Sequence, residues 1–102
     1  MTMNLFISLQ SNFELLEKKS ELLRTMGHPI RLSIIELLSR NEKLTVTELY
    51  SELEIDQPVA SHHLRIMKKS NILKSIKEGK NAFYSLADPN IQSIFELLLN
   101  IH

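Results

Sequence analysis

The segment from Gln57 to Lys69, QPVASHHLRIMKK, gathers two adjacent histidines, a serine and three basic side chains. These types could hold a metal ion, form a serine–histidine dyad, or meet phosphate, and their spacing chooses among the three. Neighbours on a helix diverge by about 100°. His62 and His63 therefore cannot close on one metal as an i,i+4 pair could, and Ser61 does not face His62. The chain has no cysteine, which excludes disulfides, thiolate metal sites and thiol redox chemistry. It also lacks a phosphate-cradling glycine loop, and its four histidines form no catalytic constellation. The expectation is a protein that is not an enzyme, with no metal and no cofactor.

Phosphate remains, although the formal net charge is zero. That sum hides an asymmetry. Residues 1–56 carry six basic and nine acidic side chains, residues 57–80 six and one, and residues 81–102 none and two. A basic segment attracts phosphate when opposing charges lie beyond a Debye length of about 8–10 Å. Wound as a helix from Val59, the segment puts Val59, Ala60, His63, Leu64, Ile66 and Met67 on one face. Pro58, Ser61, His62, Arg65, Lys68 and Lys69 fall on the other. His63 thus reads as a packed core histidine that must find a hydrogen-bond partner, and His62 as an outward group. A basic face that starts at a helix N-terminus, whose free N–H groups favour phosphate, suits DNA. Gln57, Pro58, Ser61, His62, Arg65, Lys68 and Lys69 are the candidate contacts to base edges or phosphates in a major groove.

Helix signals place the elements that would carry this face. At 102 residues, 43% hydrophobic and with two glycines, the chain suits one mainly helical domain spanning 1–102. Gly27 can close a first helix and Pro29 suits the first turn of a second. Thr45 and Glu48 have capping-box spacing for a short third helix through about Leu53. Asp56 and Asp88, each just ahead of a proline-containing start, open a fourth and a fifth. Between about Leu73 and Leu86 the sequence alternates around Glu78-Gly79-Lys80-Asn81, a hairpin with Ile76, Phe83 and Tyr84 beside the turn. The predicted fold class is mainly α with a small β-hairpin, in the order α-α-α-α-β-β-α. The third and fourth helices, joined by a few residues, match a helix-turn-helix, and the hairpin would be its wing, with Lys77, Lys80 and Asn81 at the tip as further DNA contacts. No signal peptide is evident at the N-terminus, and no segment approaches the roughly 20 apolar residues of a membrane span. A cytoplasmic protein with no membrane partner is expected.

From LLRTMGHPIRLSIIELL through KEGKNAFYSL, about residues 22–86, the sequence resembles the ArsR/SmtB family of winged helix-turn-helix repressors. HPIRLSIIELL resembles the family's second helix, QPVASHHL its recognition helix, and KEGKNAFYSL its wing. The resemblance implies a homodimer that binds double-stranded operator DNA at two related half-sites and represses transcription until an effector lowers affinity. Thr45-Val46-Thr47 stands where the family's best-known sensors have Cys-x-Cys, and threonine is a poor ligand for soft or borderline metals. A second family metal site is also broken: Asp88 remains, but Asn90 and Ile101 occupy ligand positions, and His102 at the C-terminus is a stray candidate ligand. The effector is left open. The alternative to a DNA-binding regulator is a winged-helix module that uses the same surface for another protein.

The terminal helices, about 3–26 and 89–101, are more apolar than a small monomer requires. Leu5, Leu9, Phe13 and Leu16 recur along the first, and Ile91, Ile94, Phe95, Leu98 and Ile101 form a stripe on the last, with Leu97 and Leu99 beyond it. One stripe covers the domain's own core, and the surplus is expected to meet a second subunit.

Overall fold

The computed structural model describes residues 2–102, with side chains from residue 12 onward. Leu5 and Leu9, expected at a dimer interface, therefore lie outside the described side chains. The elements are α1 (Thr2–Met26), α2 (Pro29–Arg40), β1 (Leu44–Thr45), α3 (Val46–Leu53), α4 (Gln57–Lys69), β2 (Leu73–Glu78), β3 (Asn81–Leu86) and α5 (Pro89–Leu99). The five helices and the hairpin match the sequence reading. The sheet has one strand more than expected. Two-residue β1 pairs antiparallel with β3, Leu44 opposite Tyr84, giving the strand order β1-β3-β2.

Local chemistry accounts for most boundaries. Pro29 sits at the start of α2, and its N-cap is His28, whose side chain accepts from the Ile30 N–H. Thr45 and Glu48 form the expected capping box: Thr45 Oγ1 accepts from the Glu48 N–H at 3.1 Å, and Glu48 Oε1 accepts from the Thr45 N–H at 3.1 Å. Asp88 caps α5 by accepting from the Asn90 N–H at 2.8 Å. Asp56 occupies the N-cap of α4, but its side chain makes no capping hydrogen bond. Glu54, between α3 and α4, closes the helix-turn-helix in a left-handed conformation with φ 54°. The hairpin turns at Gly79, φ 62°, with Glu78 opposite Asn81 and Ile76 opposite Phe83.

The core lies where α2, α3, α4 and α5 meet the sheet. Ile34 and Ile35 from α2, Leu49 from α3, Leu64 and Met67 from α4, and Ile72 and Leu73 at the start of β2 are all less than 2% exposed. Leu64 and Met67 together contribute roughly 3–6 kcal/mol of burial. Exposed ion pairs contribute about 1 kcal/mol or less, so burial rather than surface pairing seats α4 on the core. From α1, Leu22 and Met26 reach this core, whereas residues 12–21 are exposed throughout. Among the described residues no helix is long and apolar enough to cross a membrane.

Candidate nucleic-acid interface

Helix α4 divides as its sequence phase predicts, with one correction. Ala60, His63, Leu64 and Met67 are buried, and Gln57, Pro58, Ser61, His62, Arg65, Lys68 and Lys69 are exposed. Ile66 is half-buried. Val59, expected on the buried face, is 38% exposed and does not pack on the core. It sits in the first turn of α4, just after the α3–α4 connection. Arg65 donates from its guanidinium toward His62 Nδ1 at 3.4 Å, a long bond between two exposed side chains.

In the hairpin that follows this helix, Lys77, Lys80 and Asn81 are all exposed. The single carboxylate near its tip does not stand alone. Lys43, from the loop before β1, donates to Glu78 Oε1 at 2.6 Å, and its ammonium lies 4.7 Å from the centre of the Phe83 ring. The sequence reading missed Lys43 because its two partners lie in a different part of the chain.

Behind the exposed face lies a polar node. His63 is 6% exposed. Its Nδ1 accepts from Arg31 Nε at 3.1 Å, which satisfies the partner a buried imidazole requires. Arg31 also donates from Nη1 to the Thr25 carbonyl in the last turn of α1, at 3.1 Å. The His28 ring lies 4.5 Å from that of His63, and the His62 ring 5.2 Å away. Burial first, then His28, Arg31 and His62, holds the His63 imidazole below its ordinary pKa of 6.5. Neither Arg31 nor any of these histidines forms an ion pair with a carboxylate among the described residues. His28 and Arg31 went unrecognised in the sequence because nothing local marks a contact with a residue more than 30 positions away.

The terminal helices carry the apolar surplus, redistributed. Ile91 and Phe95 are buried in the chain's own core and Ile94 is half-buried against it, so these three serve the fold. Leu97, Leu98, Leu99 and Ile101 on and after α5, and Phe13, Leu15, Leu16 and Leu23 on α1, are between 43% and 72% exposed. An apolar recess lined by Leu23, Met26, Gly27, Leu32, Ile94 and Leu98 joins the two helices. Among the described residues, no three histidine, aspartate or glutamate side chains are grouped to hold an ion.

Two packed helices α3 and α4, an exposed polar and basic face on the second, and a following hairpin define a winged helix-turn-helix. Residues 28–75 match the family model described as bacterial regulatory protein, arsR family. The chain is 40% identical over 82 residues to an HTH-type transcriptional regulator of Methanocaldococcus jannaschii, covering 80% of this chain and 92% of that protein. It is 34% identical over 96 residues to the transcriptional repressor PagR of Bacillus anthracis, covering 94% and 96% of the two chains. The crystal structure of PagR matches 84% of this chain and 98% of its own with a TM-score of 0.78 at 36% identity. Reduced HlyU of Vibrio cholerae, a transcriptional activator, matches 87% and 93% with a TM-score of 0.79 at 32% identity. The chain belongs to the arsR family of bacterial regulatory proteins and is a winged-helix transcriptional regulator.

Proposed function

We propose that this protein is a cytoplasmic homodimeric repressor that reads double-stranded operator DNA with α4 and steadies it with the wing. The observation that carries this reading is the division of α4. Every polar and basic residue of its outer face is exposed, while Ala60, Leu64 and Met67 fix the helix from behind. Gln57, Ser61 and His62 lie near the N-terminal end, which enters a major groove first. Arg65, Lys68 and Lys69 follow along the flank, and Lys77, Lys80 and Asn81 reach the adjoining backbone. Pro58 presets the first turn.

A second copy covers the exposed apolar side chains of α1 and α5, because exposed apolar side chains concentrated on two helices mark an interface. The two-fold arrangement sets two reading helices about one DNA turn, roughly 34 Å, apart. Repression follows the match to PagR, which spans nearly the whole of both chains. No metal and no thiol effector is assigned.

The test combines sedimentation at micromolar concentration with titration of the protein's own promoter DNA at low salt. A dimer that shifts this DNA, with affinity falling steeply as salt rises, is expected. A monomer that fails to shift it overturns the reading. A reporter fused to the promoter separates repression from activation, and lower output with the protein present is the expected result.

A further inference from the structure

One guanidinium joins three helices. Arg31, on α2, holds the end of α1 through the Thr25 carbonyl and the recognition helix through His63 Nδ1, each at 3.1 Å. The same residue of α1 makes a second link to α4, since Thr25 Oγ1 lies 3.3 Å from the hydroxyl of Ser70, the C-cap of α4. Helix α1 bears Phe13, Leu16 and Leu23 of the exposed apolar surface, whereas α4 bears the DNA-facing side chains. Arg31 and Thr25 thus stand where the helix that meets a second subunit hands its orientation to the helix that reads DNA.

We infer that Arg31 is a positioning residue for DNA reading: acting through His63, it locks the recognition helix against the α1–α2 junction, and acid releases the lock. The reason is the direction of the hydrogen bond. Arg31 Nε can only donate, so His63 Nδ1 must carry a lone pair. A proton on Nδ1 turns the acceptor into a donor aimed at a cation and breaks the link. The groups around the ring offer the charged form no help. From α2 come Arg31 and its cap His28, from α4 itself His62, and from α1 the uncharged Thr25, with no carboxylate paired to any of them among the described residues. Loss of the link leaves Ala60, Leu64 and Met67 packed on the core but frees the angle of α4 relative to α1. In a two-fold dimer a small angular change displaces both reading helices from their half-sites.

This inference rests on the DNA-binding reading above, and its experiment separates the two. Operator affinity of the full chain is measured by fluorescence anisotropy between about pH 7.5 and 5.5 at constant ionic strength, with circular dichroism at each pH to confirm the folded state. His63→Asn places an amide oxygen near the position of Nδ1, so it can accept from Arg31 but cannot take up a proton. Both proteins retain His28 and His62, so the difference between their profiles isolates His63. Wild type is expected to lose at least about twofold more affinity on acidification than His63→Asn while both remain folded. Arg31→Met is expected to bind at least about tenfold more weakly at pH 7.5, with the acid-dependent loss abolished. Parallel profiles for wild type and His63→Asn overturn the inference even if Arg31→Met fails to fold. A folded Arg31→Met that melts earlier but binds the operator normally also overturns it, since that marks a purely structural arginine. Failure of wild type to bind DNA at any pH overturns the DNA-binding reading itself, and the inference falls with it.

Discussion

The Lys43 ammonium lies 2.6 Å from the Glu78 carboxylate, which is 35 residues away in sequence, and rests over the Phe83 ring. This contact neutralises the one acidic side chain of the wing beside Lys77 and Lys80. Both partners are partly exposed, at 39% and 49% of the side chain, so the pair contributes no more than about 1 kcal/mol to stability. Its larger consequence is electrostatic, at the surface that the proposed DNA-binding mode would use.

Lys43→Ala should therefore weaken operator binding about two- to fivefold, the factor that corresponds to roughly 0.5–1 kcal/mol. Glu78→Gln in the same chain should restore most of the loss by removing the carboxylate that Lys43 masks. Anisotropy titrations of the single and double variants check this. Equal affinities for the two would show that Glu78 does not face phosphate.

Arg65 is exposed and makes only a long hydrogen bond to His62, so its removal should leave the fold alone. Arg65→Ala is expected to lower operator affinity by about 1–3 kcal/mol if the guanidinium reads a base. If it meets phosphate instead, the salt dependence of binding should become shallower by about one counterion. The melting temperature should stay close to wild type in both cases. A large drop in melting temperature with unchanged DNA affinity would contradict the assignment of faces on α4.

Glu54 adopts left-handed backbone angles, φ 54° and ψ 43°, at the end of α3. That conformation costs a residue with a Cβ about 1–2 kcal/mol, part of which glycine returns through its freer unfolded chain. Glu54→Gly should stabilise the protein by about 0.5–1 kcal/mol, a rise of a few degrees in melting temperature for a domain of this size. Thermal unfolding followed by circular dichroism decides. A fall would mean that the Glu54 side chain does something the backbone argument omits.

Stability should also depend on the protonation of His63. Its pKa is depressed in the folded state by burial and by His28, Arg31 and His62, below the 6.5 expected of an exposed histidine. The unfolded chain therefore binds this proton more readily, so stability rises with pH across the interval between the two values. His63's contribution is complete above about 6.5 and is lost as pH falls through that value toward the folded one. Melting temperature plotted against pH should decline more steeply below 6.5 for wild type than for His63→Asn. Superimposable declines would assign the acid sensitivity to other groups.

The parts of the fold legible in the sequence are those whose causes lie within a few residues. The Thr45–Glu48 capping box, the Asp88 cap, the break at Gly27-His28-Pro29 and the turn at Gly79 are short-range events, and each appears where its residues indicate. Helical phase separates His62 from His63 for the same reason, since a rotation of about 100° per residue needs no tertiary information. Where a single turn is insufficient, the reading falters. Asp56 has the identity of a capping residue but its side chain makes no capping bond, and Val59 has the phase of a core residue yet is 38% exposed. Strand β1 is two residues long, too short for any period to register.

What the sequence alone determines is the order of elements, the faces of α4 and the excess of apolar side chains on the terminal helices, because patterning and capping act locally. Only the tertiary structure decides how that excess is divided, with Ile91 and Phe95 spent on the core and Leu97, Leu98 and Leu99 left outside. Only it brings Arg31 to His63 across 32 positions and Lys43 to Glu78 across 35. Those partners are chosen by the packing of whole helices and strands, which sets distances that no spacing along the chain encodes.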